Sequence, residues 1–191
     1  VTPTTVIPFR AGGKSRLPAP IRVPLALAML VDVVVAAGVI GPVRVVTADS
    51  EAARVVRDLG ATVVDDPGRG QGAAVGAGIS GLESCLVVNA DLPCVTPEAL
   101  SRLAGHGVPV YVPAHDGTTN ALALPDPAQF APLYGPGSAA RFAAAGLLPV
   151  SVPELEQDVD TLEDVERLRL PVGRRTALVV GRGVPDGAAV S

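Results

Sequence analysis

Leu86-Val87-Val88-Asn89-Ala90-Asp91-Leu92-Pro93 is an apolar run that ends abruptly in a carboxylate, a leucine and a proline. Leu86 to Val88 are of strand length, and Pro93 lacks the backbone N–H needed to continue a central strand. The chain is therefore expected to leave a sheet at Asp91. In open α/β sheets ligands bind outside the carboxyl ends of the strands, which makes Asp91 a candidate metal or substrate ligand; the plain alternative is a carboxylate that caps a turn.

Around this stretch, 191 residues fit one α/β domain with a substantial core. The core is aliphatic: 48% of the residues are hydrophobic, aromatics are few and Trp is absent. A net charge of −4 without a basic run argues against a nucleic-acid partner. The longest apolar stretch, Leu25 to Ile40, carries Asp32 and closes at Gly41-Pro42, so no membrane span is expected. Cys85 and Cys94 form neither a disulfide framework nor a metal-ligand spacing with His106 or His115. Val1 leads straight into a strand without signal-peptide character, and the expected location is the cytoplasm.

Thr4 to Phe9 reads as the first strand, opening onto Arg10-Ala11-Gly12-Gly13-Lys14-Ser15-Arg16-Leu17. Gly12 and Gly13 let backbone amides approach an anion, and Arg10, Lys14 and Arg16 bring positive charge, so the loop is a candidate triphosphate site. It is not a Walker A loop, which needs a glycine where this chain has Pro8. A buried helix is expected over Pro24 to Ala37, a strand over Val43 to Thr47, and a helix from Glu51 to Leu59 with Ser50 as N-cap. A third strand, Thr62 to Val64, runs into Asp65-Asp66-Pro67-Gly68-Arg69-Gly70-Gln71-Gly72, a turn that either passes a base or ribose or simply connects. The glycines of the helix expected over Ala73 to Gly81 suit close packing on the sheet.

Beyond the central strand, Thr96 and Pro97 have N-cap and first-turn chemistry for a helix ending near Gly105. Val108 to Val112 and Asn120 to Leu124 read as strands, and Thr118 and Thr119 beside Gly117 could contact a small anion. Gly135-Pro136-Gly137-Ser138 opens a helix through Ala145, with Ser138 as N-cap. Arg141 in its first turn opposes the dipole unless an anion sits there. After a strand-like stretch from Leu148 to Val152, alternation places Asp158 and Asp160 on one face around Val159, where two like charges need a cation. Thr161 and Asp164 have capping-box spacing for a helix to about Leu168. The residues after Pro171 read as a loose tail, giving a domain over 1–170 and a tail over 171–191.

A basic glycine loop, an acid after a central strand and an Asp-x-Asp before the last helix suit nucleotidyl transfer. That chemistry needs charge neutralisation and in-line positioning, with Mg²⁺ on oxygen ligands, and requires no histidine or cysteine nucleophile. Val6-Ile7-Pro8-Phe9-Arg10 with Lys14-Ser15-Arg16-Leu17, Asn89-Ala90-Asp91-Leu92-Pro93, Gly135-Pro136-Gly137-Ser138 with Arg141, and Asp158-Val159-Asp160-Thr161 resemble the guanylyltransferases of deazaflavin coenzyme F-420 biosynthesis. These act on 2-phospho-L-lactate or phosphoenolpyruvate.

The resemblance runs over residues 4–170. It implies a single-domain, Rossmann-like α/β nucleotidyltransferase, its central sheet mostly parallel with helices on both faces, related to the molybdenum-cofactor guanylyltransferases. It also implies roles: Asp91, Asp158 and Asp160 on Mg²⁺; Arg10, Gly12, Gly13, Lys14 and Arg16 on GTP, with Lys14, Arg16 and Asp91 catalytic; Thr119, Gly135, Ser138 and Arg141 on the phospho-acid acceptor. A downstream enzyme that takes up a labile guanylylated product follows from the same reaction. Two other readings stand beside it, a nucleotidyltransferase for molybdopterin or a sugar phosphate and a non-catalytic nucleotide-binding protein. The latter draws on Gln71-Gly72, which replaces the family's usual Leu-Asn.

Overall fold

The computed structural model describes residues 2–13 and 16–181, so Lys14, Ser15 and the chain from 182 onward lie outside the described residues. Seven strands, β1 (Thr4–Pro8), β2 (Val43–Thr47), β3 (Thr62–Asp65), β4 (Cys85–Val88), β5 (Val110–Pro113), β6 (Thr119–Leu124) and β7 (Leu148–Pro149), form one sheet in the order β3-β2-β1-β4-β6-β5-β7. Every neighbouring pair is parallel except the two that involve β6, which runs against β4 and β5. From β1 the sheet grows outward through β2 and β3 on one side and through β4 on the other. The crevice between the ends of β1 and β4 is therefore the switch point at which such sheets bind ligands.

Alternation along the strands divides the core in two. Ile7, Val45, Leu86 and Val88 face α1 (Ala19–Ile40), α2 (Ser50–Asp58) and α4 (Pro97–Ala104), whereas Val6, Val46 and Val87 face α3 (Gln71–Ile79) and α5 (Ser138–Ala144). A Cβ on Gly78 would run into Val6 and lie 2.8 Å from Val46 Cγ2, so the glycine there serves close helix-to-sheet packing. The Asp49 side chain, rather than Ser50, caps α2 by accepting from Ala52 N at 2.8 Å. Thr96 caps α4, with Pro97 in its first turn. The strand-like stretch from 148 to 152 is regular only over Leu148–Pro149.

α1 starts earlier than its sequence suggests, at Ala19, and keeps Pro24 in its interior. Pro18 and Pro20 fit the helix start, where a missing donor costs nothing. The Arg22 guanidinium folds back to donate to the Leu17 carbonyl at 2.8 and 3.1 Å. Pro24 forgoes the bond to the Pro20 carbonyl, and the buried Leu25 and Met29 on its other flank hold the helix in place, each burial contributing roughly 1.5–3 kcal/mol. At 22 residues α1 is longer than the apolar stretch read from the sequence and, by length and composition alone, long and apolar enough to cross a membrane. Here it lies in the core between the sheet, α4 and α7 (Arg174–Val180).

α7 occupies part of the supposed loose tail, and that expectation is corrected: Val172, Thr176 and Ala177 are buried against the domain. Asp32, the one acid in the apolar run of α1, is 8% exposed and accepts from Arg175 N at 3.0 Å and Thr176 N at 2.8 Å. It thus caps α7 from another helix. A Cβ on Gly173 would collide with this carboxylate, so only glycine fits at that approach. Val172 and Ala177 join Leu25, Met29, Cys94 and Val159 in a third apolar cluster, together with Val165 from α6 (Leu162–Arg167).

Candidate active site

Asp91 stands in the turn that leaves β4, at the switch point of the sheet. Two later segments fasten that turn: Val159 N donates to the Asp91 carbonyl at 3.1 Å, and Gly173 N to the Pro93 carbonyl at 2.7 Å. The first of these bonds brings Asp158 and Asp160 beside Asp91, with Val159 buried between them. One carboxylate oxygen from each of the three lies within 4.8 Å of the others, and all three residues are half-buried. Three hard, anionic oxygen donors converging in this way fit a divalent cation such as Mg²⁺. Neither Asp158 nor Asp160 caps the following helix. Thr161 does so, its Oγ1 accepting from Asp164 N, while the Asp164 carboxylate reaches back to accept from Thr161 N at 2.8 Å and Asp160 N at 3.0 Å. Burial raises the Asp164 carboxyl, but these hydrogen bonds outweigh it and hold the group below the usual carboxylate range.

A cavity of about 390 Å³ opens beside the aspartates, between Pro8 to Arg10 at the end of β1, Gly70 and Gln71, and Asn89 to Asp91. Its size suits a small ligand. Asp91 and Asp160 both line it. Arg10 lines it too, although its guanidinium is not offered to the cavity alone: Nε donates to Asp66 Oδ2 at 2.8 Å, across 56 residues of sequence. Asp66 is a site residue that the motifs missed, its only signal being an acid in the turn after β3. The hydrogen bond from Arg10, with a further one from Gly68 N, holds the Asp66 carboxyl below the ordinary carboxylate range.

This pair sets a pH dependence. The folded-state value of Asp66 lies below its unfolded value, so the stabilisation is complete above the ordinary carboxylate range and is lost as pH falls through the lowered folded-state value. Asp66→Asn is expected to flatten the acid limb of a stability-versus-pH curve measured by urea unfolding, leaving the neutral region nearly level. An unchanged acid limb would show that the pair does not act in solution.

The remaining predicted residues divide between places. Gly12 and Gly13 lie in a short 3₁₀ turn, Ala11–Gly13, and a Cβ on Gly12 would meet open space, so packing does not demand glycine there. Arg16 does not join Arg10. It lines a separate cavity of about 470 Å³ with His115, Arg167 and Asp158, and Asp160 borders both spaces. Lys14 lies outside the described residues.

Thr119 and Ser138 are brought together but buried, with Ser138 Oγ 3.2 Å from Thr119 Oγ1. Gly135 opens instead onto a third cavity of about 700 Å³ shared with Gln71, Pro132 and Tyr134. The N-cap of α5 is Gly137, left-handed at φ 72°, rather than Ser138. Arg141 is committed to the preceding turn. It falls in the last turn of this seven-residue helix, and its guanidinium donates to the carbonyls of Leu133, Tyr134, Gly135 and Pro136. The arginine therefore pins the Gly-Pro-Gly-Ser turn.

Two amides missed at the sequence level complete the site. Asn89 donates from Nδ2 to the Thr119 carbonyl at 3.2 Å and accepts from Gln71 Nε2 at 2.7 Å. Asn120 donates to the Leu155 carbonyl at 3.0 Å. The Gln71-Gly72 departure also finds its reason. Gln71 bonds Asn89, and a Cβ on Gly72 would approach Pro132 Cβ to 2.6 Å, so the glycine follows from packing. Cys85, whose thiol burial pushes up to about 12, is no nucleophile.

The chain, with a switch-point cavity lined by two of three clustered acids, belongs to the family of MobA-like NTP transferase domains, whose model matches residues 10–154. It is a nucleotidyltransferase. Among its relatives are two proteins named phosphoenolpyruvate guanylyltransferase. That of Geodermatophilus obscurus is 40% identical, over 82% of this chain and 79% of that protein. That of Salinispora arenicola is 38% identical, over 95% of each. In fold the chain is similar to a solved nucleotide-diphospho-sugar transferase, described as putative, from Desulfovibrio desulfuricans, with a TM-score of 0.64, 16% identity and coverage of 85% of this chain and 84% of that one.

Proposed function

We propose that the protein transfers GMP from GTP to the phosphate of a small phospho-acid, phosphoenolpyruvate or 2-phospho-L-lactate, in coenzyme F-420 biosynthesis. The observation that carries the reading is the cluster of Asp91, Asp158 and Asp160, two of which, Asp91 and Asp160, line the switch-point cavity. Guanylyl transfer and the phospho-acid are supported by the names of relatives that match most of the chain. In the reaction an acceptor phosphate oxygen attacks the α-phosphorus of GTP, the bond from that phosphorus to the α–β bridging oxygen breaks, and pyrophosphate leaves with the electron pair. The attacking phosphate is already ionised, so no strong general base is needed.

Asp91, Asp158 and Asp160 would hold Mg²⁺, which when bound supplies charge neutralisation and orientation of phosphate oxygens. Arg10, from its bond with Asp66, and Lys14, with the amides of Gly12 and Gly13, bind the triphosphate, while Arg16 reaches its phosphates from the second cavity, across Asp160. Gly135 binds the acceptor from the third cavity, with Thr119 and Ser138 as the buried hydroxyl pair that supports it. Buried free thiols suit a cytoplasmic location. The product is a reactive phosphoanhydride, which a downstream enzyme consumes.

The test is pyrophosphate release with Mg²⁺ and GTP or ATP against phosphoenolpyruvate, 2-phospho-L-lactate and 3-phosphoglycerate, with a downstream acceptor enzyme to draw off product. Release that requires GTP and one of the first two acceptors is expected. Release with a sugar phosphate or molybdopterin instead would overturn the acceptor assignment. Ser138→Ala removes the buried hydroxyl that bonds Thr119 and is expected to raise the acceptor KM about fivefold, the value of one neutral hydrogen bond, with less effect on the KM for GTP; equal shifts of both would remove the acceptor from this position.

A further inference from the structure

Asp158 and Asp160 sit in irregular chain, and a side chain outside every recognised motif helps to fix them. Asn120 follows Thr119 on β6 and is 1% exposed. Its Nδ2 donates to the Leu155 carbonyl at 3.0 Å and faces Asp158 Oδ1 at the longer distance of 3.5 Å. Both partners are acceptors, so only the orientation that turns the NH₂ group toward them is bonded. Through its main chain the same residue reaches the other half of the site, since the Asn120 carbonyl accepts from Asn89 N at 2.9 Å. One residue thus touches the segment carrying Asp158 and the segment leading into Asp91.

The arrangement is costly. Among the described residues Asn120 Oδ1 is buried without a hydrogen-bond partner, a penalty of about 1–3 kcal/mol, on a strand that continues as Ala121-Leu122-Ala123-Leu124. A leucine in its place would avoid that penalty but leave the Leu155 carbonyl without its donor, a cost of similar size. The amide at this position therefore adds little net stability beside its two acceptor contacts.

We propose that Asn120 is a positioning residue, which holds Asp158 in register with Asp91 so that the three carboxylates meet a divalent cation together. The proposal rests on the metal reading above. Removal of a group that orients a ligand in this way costs about tenfold or more in metal affinity. Asn120→Leu should accordingly melt near the wild-type temperature and yet bind metal more weakly, a combination that a purely structural asparagine would not produce.

The measurement is Mn²⁺ binding to the purified full chain by electron paramagnetic resonance, with and without α,β-methylene-GTP, alongside thermal melting. Expected are a Mn²⁺ dissociation constant raised about tenfold in Asn120→Leu and unchanged binding of the metal-free nucleotide. A folded variant that binds Mn²⁺ like the wild type would overturn the proposal and leave the metal site standing. Failure of the wild type to bind Mn²⁺ in either condition would overturn the metal reading and this proposal with it. Should the variant not fold, the wild type decides: its Asn120 side-chain amide resonance should shift with Mg²⁺ at the midpoint of metal binding, and a resonance that stays in place sinks the idea.

Discussion

Asp91→Asn is expected to lower turnover by about a thousandfold, the loss of several kcal/mol of charge stabilisation, while leaving the melting temperature and the far-ultraviolet spectrum unchanged. The substitution preserves the size of the side chain at a half-buried position, and the backbone bond from Val159 to the carbonyl of residue 91 does not involve the carboxylate. What it removes is one of three anionic donors that stand within 4.8 Å of one another. Steady-state pyrophosphate release with a Mg²⁺ titration is the check. Activity within a few-fold of wild type would take Asp91 out of the chemistry.

The second large effect is on stability and comes from a residue that does not line the cavity. Asp32→Ala removes a buried acceptor of two N–H groups at the start of α7. Hydrogen bonds to charged groups are worth about 1.5–3 kcal/mol each, and about 3 kcal/mol in all is expected once the freed amides find water. For a chain of this size that lowers the melting temperature by roughly 6–12 °C, measured by calorimetry. A shift of a degree or two would mean that α7 holds to α1 through its apolar contacts alone. Because Gly173 adjoins α7 and also donates to the Pro93 carbonyl, the variant should lose activity at temperatures where it remains folded.

These two aspartates show where local sequence is informative. Asp91 was legible because the strand and the proline that frame it are neighbours, and its position in an open sheet follows from general geometry. The Thr161 and Asp164 capping box was legible for the same reason, as a contact three residues long. The packing role of Gly78 came from composition, small residues repeating where a helix meets a sheet. Asp32 could be read only as an interruption in an apolar run, since its partners lie 143 and 144 residues away. The Arg10–Asp66 pair is hidden by the same kind of distance. Arg141 misled in another way. Its place near a helix start implied an anion, whereas the helix is short enough for the guanidinium to fold back onto the carbonyls of the preceding turn. Asn120 belongs to an apolar strand, and nothing local distinguishes a buried amide with remote acceptors from a solvated one.

The bond from Gly173 to Pro93, beside the one from Val159 to Asp91, sets an order on how the enzyme comes into being. Chains emerge and fold from the N-terminus first, so the sheet through β6 has its sequence available long before residues 158–177 do. The crevice and Asp91 can take shape on a nascent chain, but Asp158 and Asp160 follow only after β6 and β7 have been made. A chain stalled before residue 158 would keep the fold of the crevice and hold one carboxylate where the finished cluster has three.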